Sequence, residues 1–289
     1  MVIPAAATMS PKEIAKRSKS NFLTSFWFLS PRRRAALNAI YAFCRAVDDA
    51  VDDAPDHRTA VEELNFWRKE LDAIQDGRPS TETGMELRRA IGDFGVSPRH
   101  LRAVIDGCAR DLEDAPFEGW GDLDAYCERV ASAVGLACLP VFGAHGPEAE
   151  AYGRELGLAL QLTNILRDLK DDALEGRVYV PQSELQSHGV DPVWFRGDGP
   201  AEVYRKEGPI ASLVQALSAV AQARFARAEE LMPKDQRRAL VPATIMGAAY
   251  HELLQQVQER GGDLRLPRPR LSKSEKLKLA FGAWWRGRF

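Results

Sequence analysis

Hydrophobic positions recur along almost the whole chain at the three- and four-residue spacing of buried helix faces. Ile40, Cys44, Val47 and Val51 show this pattern, because they lie at i, i+4, i+7 and i+11 and therefore share one face. Alternating runs of Val, Ile and Thr, which would indicate strands, are missing. Pro and Gly breaks separate the periodic stretches. The pattern predicts helices at about 10–18, 31–53, 57–76, 81–94, 97–111, 122–144, 147–174, 181–187, 200–231, 234–260 and 272–282.

The breaks between these helices are short, and no segment repeats. Two of them, "GDGP" at 197–200 and "RGGDLRLPRPR" at 260–270, are predicted loops. A chain of 289 residues can bury a sizeable core. The sequence therefore predicts one all-α domain over residues 1–289, with residues 1–9 disordered and a basic, aromatic C-terminal segment at 272–289.

Composition narrows the functional classes. A formal net charge of −2 argues against a nucleic-acid-binding protein, because such proteins usually carry a clear excess of basic residues. The N-terminus lacks the apolar region of a signal peptide, and no apolar run approaches the ~20 residues of a transmembrane helix. The four cysteines lie far apart and are predicted to be reduced core thiols rather than zinc ligands. We expect a cytoplasmic protein that is at most peripheral to a membrane.

The stretch "RAVDDAVDD" at 45–53 places four acids beside a core stripe. On a helix, Tyr41, Arg45, Asp48 and Asp52 share the face next to that stripe, whereas Asp49 and Asp53 are rotated away from it. Two carboxylates one helical turn apart, about 6 Å along the axis, need cations, and hard oxygen ligands suit Mg²⁺. Taken alone, the motif fits a solvated acidic face better than a metal site.

A second acidic helix, at 153–177, favours the metal site. Its polar stripe consists of Gln161, Asn164, Asp168 and Asp172, with leucines beside it. A solvated face would usually mix lysines and glutamates in i, i+4 pairs, so this stripe indicates ligand chemistry. Two glycines in the range 153–157 either leave space above the acids or mark a close helix–helix contact.

Two helices with Asp-x₃-Asp pairs can hold a diphosphate bridged by several Mg²⁺ ions, because Mg²⁺ is usually bound by few carboxylates together with substrate phosphates. Arg45, Arg167 and Arg177 lie on or just beyond these helices and can bind phosphate oxygens. The alternative for each arginine is an ordinary salt bridge, such as Arg167 with Asp171 at i, i+4.

Three stretches together resemble the squalene/phytoene synthase family, from about residue 10 to residue 280. They are "YAFCRAVDDAVDD" at 41–53, "YCERVASAVG" at 126–135 and "QLTNILRDLKDDALEGRVYVP" at 161–181. The resemblance implies an isoprenoid synthase helical bundle around a central apolar cavity, which condenses two allylic diphosphates head to head. The stretch from Ser20 to Asp53 is most similar to the bacterial branch that makes presqualene diphosphate from two farnesyl diphosphates for hopanoids.

The resemblance also implies roles for individual residues. It implies a Mg²⁺–diphosphate site at Asp48, Asp52, Asn164, Asp168 and Asp172. It implies substrate contacts at Ser20, Phe22, Tyr41, Arg45, Gln161, Arg167, Arg177 and Arg268. Tyr126 matches the tyrosine near the reacting carbons and is a predicted catalytic residue together with the four aspartates. Arg129 stands where the family often has a second aromatic residue, and prolines interrupt the basic pair around Arg268.

Several alternatives stay open at this stage. They are a phytoene synthase that takes two geranylgeranyl diphosphates, a full squalene synthase, and a non-catalytic helical assembly factor, although both intact aspartate motifs favour catalysis. NADPH is not expected, but the absence of a Gly-rich dinucleotide loop does not decide this, because family members that use NADPH also lack one. Downstream isoprenoid enzymes are potential partners. Segment 272–289 is either a membrane-surface contact or a cap on the helical bundle.

Overall fold

A computed structural model describes residues 3–17, 29–113 and 115–286. Within these ranges the chain is helical and contains no strand. The α-helices are α1 (Pro11–Arg17), α2 (Pro31–Asp52), α3 (His57–Gln75), α4 (Glu82–Phe94), α5 (Pro98–Arg110), α6 (Trp120–Cys127), α7 (Ala133–Phe142), α8 (Pro147–Leu174), α9 (Gln182–Ser187), α10 (Pro209–Leu231), α11 (Val241–Glu259) and α12 (Lys273–Arg286). The all-α prediction is confirmed.

Local signals in the sequence explain where the helices start and stop. At the start of α2, the hydroxyl of Ser30 accepts a hydrogen bond from the backbone N–H of Arg33, and Pro31 occupies the first turn. Thr81 caps α4 in the same way through the N–H of Gly84. Gly95 ends α4 with a φ of 75°, a left-handed conformation that glycine adopts without steric cost.

The long helix α8 joins two buried cores. Its first half packs on α7 and α11 and contributes to a core that also contains residues of α2, α3, α4 and α5. In this core Trp67 and Phe43 meet edge to face with ring centroids 5.7 Å apart. Its second half packs with α6, α10 and the segment that follows α9. Residues of α8 therefore belong to both cores, whereas α2 contributes to the first core alone. This arrangement leaves an open space beside the acidic ends of α2 and α8.

Three predicted helix boundaries are wrong. The helix predicted at 200–231 starts only at Pro209, because the chain makes a short 3₁₀ turn at Ala201–Tyr204 and then folds back tightly at Gly208. A Cβ on Gly208 would lie 2.7 Å from the carbonyl oxygens of Glu202 and Val203. The helix predicted at 234–260 starts at Val241, after a separate 3₁₀ turn. Residues 5–8, predicted to be disordered, form a 3₁₀ helix that packs against the core through two alanines.

The third boundary is the predicted helix 122–144. It starts earlier, at Trp120, and is interrupted by a π-helical turn at Glu128–Ser132. The run Trp120–Phe142 contains an 18-residue window with a mean hydropathy of 1.3, so by length and composition alone it could cross a membrane, whereas the sequence analysis expects no transmembrane helix. Half of its apolar window is buried inside the protein, where it packs against α5 and α8.

Candidate active site

One cavity of about 540 Å³ collects all the predicted site residues that the structure describes. Those residues are Tyr41, Arg45, Asp48, Asp52, Tyr126, Gln161, Asn164, Arg167, Asp168, Asp172, Arg177 and Arg268. The remaining two, Ser20 and Phe22, lie outside the described residues. The two aspartate pairs, which are 120 positions apart in the sequence, therefore line the same cavity. The roles of these residues stay predictions.

The α2 wall contributes the first pair of acids. Burial, and then the charge of Asp52 one turn away, raises the pKa of Asp48 to about 7. Arg45 donates to Asp48 at 2.9 Å, and Arg177 donates to Asp52 at 2.5 Å from the far side of the cavity. Asp49 also pairs with Arg45 but lines a different hollow, next to α1, as the helical wheel predicts for a residue rotated off the site face.

The α8 wall contributes the second pair. Asp168 is held by two guanidinium groups. Arg167 donates to both of its oxygens at 2.6–2.7 Å, whereas Arg268 donates to Oδ2 at 2.6 Å and forms an ion pair with Oδ1 at 2.6 Å. Burial, and then the neighbouring Asp168, raises the pKa of Asp172 to about 7. Arg167 thus pairs with Asp168 and not with Asp171, for which the spacing would also have allowed a salt bridge. Asp171 is approached by Arg268, at 3.5 Å.

Asn164 presents an unsatisfied oxygen to the same cavity. Its side-chain nitrogen donates to Gln161 at 3.3 Å, whereas its buried Oδ1 atom accepts no hydrogen bond. A buried carbonyl oxygen without a donor costs free energy, on the order of 1–3 kcal/mol, unless a cation or water binds it. The Asn164 oxygen can therefore accept a hydrogen bond or ligate a cation, and its role as a ligand stays a prediction.

Asp111, Tyr179 and Tyr250 also line the cavity, and the sequence analysis assigns no role to them. Asp111 follows α5 and accepts a hydrogen bond from the hydroxyl of Tyr126 at 3.0 Å. The Tyr179 ring stacks on the Tyr126 ring, with centroids 5.2 Å apart. Tyr179 is part of a stretch that matches the family, so that stretch could have identified it. Asp111 has no local motif, and only the tertiary packing reveals it.

An apolar hollow of about 170 Å³ continues from the polar cavity. The two spaces share Val130, Val134, Gln161, Asn164 and Tyr250. The deeper walls come from α7, α8 and α11, and include Leu139, Phe142, Leu156, Ala243 and Met246. A ligand with a charged head and a hydrocarbon tail matches this change from polar to apolar lining.

The glycines of α8 serve helix packing. A Cβ on Gly157 would collide with the backbone of Ser132 in the π-helical turn, and Gly153 lies against Leu139 of α7. Of the two alternatives raised by the sequence, the close helix–helix contact is the correct one. The contact brings the π-helical turn onto α8, directly beside the cavity.

The four cysteines are free thiols, three of them buried and Cys44 half-buried, as the sequence predicts. Burial raises the pKa of Cys44 to about 12, and it also raises the pKa of Cys108. Both thiols line the cavity in their protonated form, and a protonated thiol is a poor nucleophile and a poor metal ligand.

Comparisons with known proteins agree with this geometry. The squalene/phytoene synthase family model matches residues 15–275. Presqualene diphosphate synthase of Rhodopseudomonas palustris is 33% identical over 263 residues, which cover 90% of this chain and 91% of that protein. Phytoene synthase of Mycobacterium tuberculosis is 30% identical over 272 residues, which cover 94% and 88%.

Solved structures show the same fold. A dehydrosqualene synthase in complex with a ligand superposes with a TM-score of 0.82 at 23% identity and covers 96% of this chain and 95% of its own. A squalene synthase of Alicyclobacillus acidocaldarius superposes with a TM-score of 0.76 at 24% identity and covers 87% and 92%. With its motifs, its cavity and its relatives in agreement, the chain belongs to the squalene/phytoene synthase family of head-to-head prenyltransferases.

Proposed function

We propose that this enzyme condenses two farnesyl diphosphates to presqualene diphosphate and releases one diphosphate, with Mg²⁺ as its cofactor. The observation that carries the proposal is the single cavity in which two Asp-x₃-Asp pairs stand at the entrance to an apolar hollow. Relatives named presqualene diphosphate synthase, 32–36% identical to this chain, support the choice of product.

The residues fit Mg²⁺ that arrives together with a diphosphate. Within the described ranges, no three His, Cys, Asp or Glu side chains converge as in an all-protein metal cage. Mg²⁺ is typically bound by one or two carboxylates together with substrate phosphates, so paired aspartates suit it. The unsatisfied oxygen of Asn164 supports the binding of a cation, as do the pKa values of Asp48 and Asp172, which burial and then a neighbouring carboxylate raise.

In this proposal Asp48, Asp52, Asn164, Asp168 and Asp172 hold the metal. The bound Mg²⁺ neutralises the diphosphate and makes it a better leaving group. The arginines now paired with these aspartates are within reach of the same phosphates. They exchange a carboxylate partner for a phosphate partner when substrate binds, and both partners suit the planar guanidinium fork.

The apolar hollow supplies the second requirement, protection of an allylic cation from water. The rings of Tyr126 and Tyr179 line the adjoining cavity, and the face of an aromatic ring stabilises a nearby cation. The prenyl tail lies along α7, α8 and α11, and its diphosphate lies between α2 and α8. The double bond of the second prenyl chain then attacks the cation.

A phytoene synthase is the second candidate, because relatives with that name match at 30% identity over 94% of the chain. The test offers purified enzyme farnesyl or geranylgeranyl diphosphate, with Mg²⁺ or with EDTA, and measures diphosphate release and product mass. The proposal expects Mg²⁺-dependent release with farnesyl diphosphate and a C30 cyclopropyl diphosphate. Preference for the C20 substrate would favour phytoene synthase, and a reduced C30 hydrocarbon formed only with NADPH would indicate full squalene synthase activity.

The enzyme is further proposed to touch an anionic membrane surface through α12. One face of α12 packs on α11, with Ala280 buried and Leu279 against the core. The other face exposes Leu277 and Phe281, one turn apart, at 66% and 62% exposure. Lys273 and Lys278 are exposed beside them and complement anionic headgroups. The helix therefore combines both sequence alternatives, because one face caps the bundle and the other suits a membrane.

A further inference from the structure

Asp111 and Tyr126 form a hydrogen-bonded pair at the inner wall of the cavity. The Tyr126 hydroxyl donates to the Asp111 carboxylate at 3.0 Å, and the Tyr179 hydroxyl interacts with the same carboxylate. The Tyr126 ring is fixed by Tyr179, stacked at 25°, and by Phe117, whose centroid lies 5.3 Å away. Tyr126 is only 5% exposed, so it has little freedom to leave Asp111.

The proton affinities of the Tyr126 phenol and the Asp111 carboxylate suit a proton transfer from the tyrosine to the aspartate. Burial raises the pKa of Tyr126, so the phenol keeps its proton at neutral pH. Burial also raises the pKa of Asp111, to about 6, whereas the hydrogen bond from Tyr126 and the charge of Arg177 lower it. At pH 7.5 the Asp111 side chain is therefore largely ionised and can accept a proton.

Other charged groups face Asp111 from neighbouring elements. Asp48 and Asp52 approach from α2 and raise its proton affinity, and Arg177 approaches from the segment after α8 and lowers it. On α5 itself, the Cys108 thiol is protonated because burial raises its pKa. In the proposed function the α2 and α8 aspartate pairs hold metal, and Asp111 is the cavity carboxylate that accepts the hydrogen bond from the Tyr126 hydroxyl.

The proposed reaction needs a proton acceptor in this cavity. After the first diphosphate leaves, C1 of that prenyl chain is a cation, and the C2=C3 double bond of the second chain attacks it and leaves the cation at C3. Ring closure then breaks a C–H bond at the former C1, and its electron pair forms the C1–C3 bond of the cyclopropane. One proton leaves the substrate in this step, and no oxidant or reductant is required.

We infer that Asp111 is the final acceptor of this proton, which it receives through the hydroxyl of Tyr126. The Tyr126 oxygen takes the proton from the substrate carbon while its own phenolic proton passes to Asp111, so the tyrosine is neutral before and after the step. Tyr179 positions the Asp111 carboxylate. This inference rests on the proposed function, and it holds for either prenyl chain length, because both substrates form the same three-membered ring.

The decisive variant is Asp111→Asn, which keeps an oxygen that can accept the Tyr126 hydrogen bond but is unable to take the proton. Tyr126→Phe breaks the relay at the other end and leaves the carboxylate intact, so a folding defect in one variant does not end the test. Asp106→Asn is the matched control, because Asp106 lies on α5 in an exposed ion pair with Arg68. Thermal unfolding establishes that each protein is folded.

The measurements are kcat, KM and the isotope effect with farnesyl diphosphate carrying deuterium at C1. We expect Asp111→Asn and Tyr126→Phe each to lower kcat on the order of 100-fold, as for loss of a general base, with KM changed less than about threefold. The isotope effect should rise in both variants, because C–H cleavage becomes rate-limiting. The kcat of the double variant should be little lower than that of either single variant, because both residues act in the same step. Asp106→Asn should match the parent enzyme.

A folded Asp111→Asn enzyme with unchanged kcat and isotope effect would overturn the inference, as would a loss confined to KM, which indicates binding alone. Retention of kcat in Tyr126→Phe would overturn it as well. These results leave the proposed function standing, because the parent enzyme still makes product. If the parent enzyme itself releases no diphosphate from farnesyl diphosphate with Mg²⁺, the proposed function fails, and this inference fails with it.

Discussion

Arg268 donates a hydrogen bond to Oδ2 of Asp168 at 2.6 Å, and its Nε forms an ion pair with Oδ1 at 2.6 Å, across 100 residues of sequence. Arg268 lies in the proline-interrupted loop before α12, where the match to the family's basic pair is weakest. The structure nevertheless places its guanidinium group beside the second aspartate pair. This contact places Arg268 in the lining of the cavity and connects the C-terminal part of the chain to the site.

Replacing Arg268 with Gln should lower kcat/KM for farnesyl diphosphate by about 10- to 100-fold. A hydrogen bond to a charged group contributes about 1.5–3 kcal/mol of binding free energy. In the proposed function the Arg268 guanidinium exchanges its hydrogen bond to Asp168 for one to the diphosphate. Arg268→Lys should restore only part of the loss, because an ammonium lacks the planar fork. Arg265→Gln is the control, since Arg265 lies in the same loop but pairs with Asp263. Equal losses of kcat/KM in Arg268→Gln and Arg265→Gln would show that the variants act through the loop conformation and not through the Arg268 guanidinium.

Each of the four aspartates in the two Asp-x₃-Asp pairs should be needed for turnover. Asp48→Asn, Asp52→Asn, Asp168→Asn or Asp172→Asn should lower kcat at least ~100-fold, because each removes a charge that holds the leaving group. Asp53→Asn should cost far less, because Asp53 lines the separate hollow beside α1. Steady-state diphosphate release with saturating Mg²⁺ measures this. Similar losses in all five variants would contradict the separation of the two faces of α2.

Without metal, Asp48 and Asp172 should make the protein less stable as pH rises. Their pKa values, about 7, exceed the value of about 3.9 for an unfolded chain, so the folded state binds more protons between these limits. Their penalty is absent below pH 4, grows as pH rises and is complete above pH 7. In EDTA, the melting temperature of the Asp48→Asn/Asp172→Asn protein should therefore exceed that of the parent by a margin that widens from pH 5 to pH 8. A margin that stays constant with pH would refute this assignment.

Gly157→Ala should destabilise the enzyme by about 1–3 kcal/mol, as is typical of overpacking, because the added methyl group meets the backbone of Ser132. Gly92→Ala in α4 is the matched control, since nothing lies within 4 Å of a Cβ at that position. The control should gain about 0.5–1 kcal/mol through the better helix propensity of alanine. Urea unfolding measures both changes. If Gly157→Ala were neutral, the close contact between α8 and the π-helical turn would be wrong.

The sequence was sufficient to predict which site residues share one face of the same helix. Asp48 and Asp52, or Asp168 and Asp172, share a face because the helix period requires it, and the apolar stripes beside them identify α2 and α8. The position of Gly208 shows the opposite case. Its tight contacts arise from carbonyls of the preceding turn, and no periodicity in the predicted helix 200–231 marks that fold-back.

Asp111 shows why part of the site could not be predicted. It is the last residue of the predicted helix 97–111 and is separated from Tyr126 by 15 residues, which include the break between two predicted helices. The hydrogen bond forms because α5 packs on the π-helical turn after α6, which is a property of the whole bundle. A single acid at a helix end has many possible roles, and the structure distinguishes Asp111 by its contacts with Tyr126 and Tyr179.

The exposed face of α12 gives the last prediction. Leu277→Ser/Phe281→Ser should abolish co-sedimentation with phosphatidylglycerol vesicles, because the change removes apolar side chains from the headgroup boundary. Neutralising Lys273, Lys276 and Lys278 with Gln should weaken binding by about 1 kcal/mol per charge and reduce its salt dependence. Met85→Ser, an exposed apolar position on α4, is the control. The double variant should keep its melting temperature and its activity on detergent-dispersed substrate, because it leaves the face packed on α11 intact. Equal binding of the parent enzyme to phosphatidylcholine and phosphatidylglycerol vesicles, or a double variant that unfolds early, would contradict a membrane role for this face.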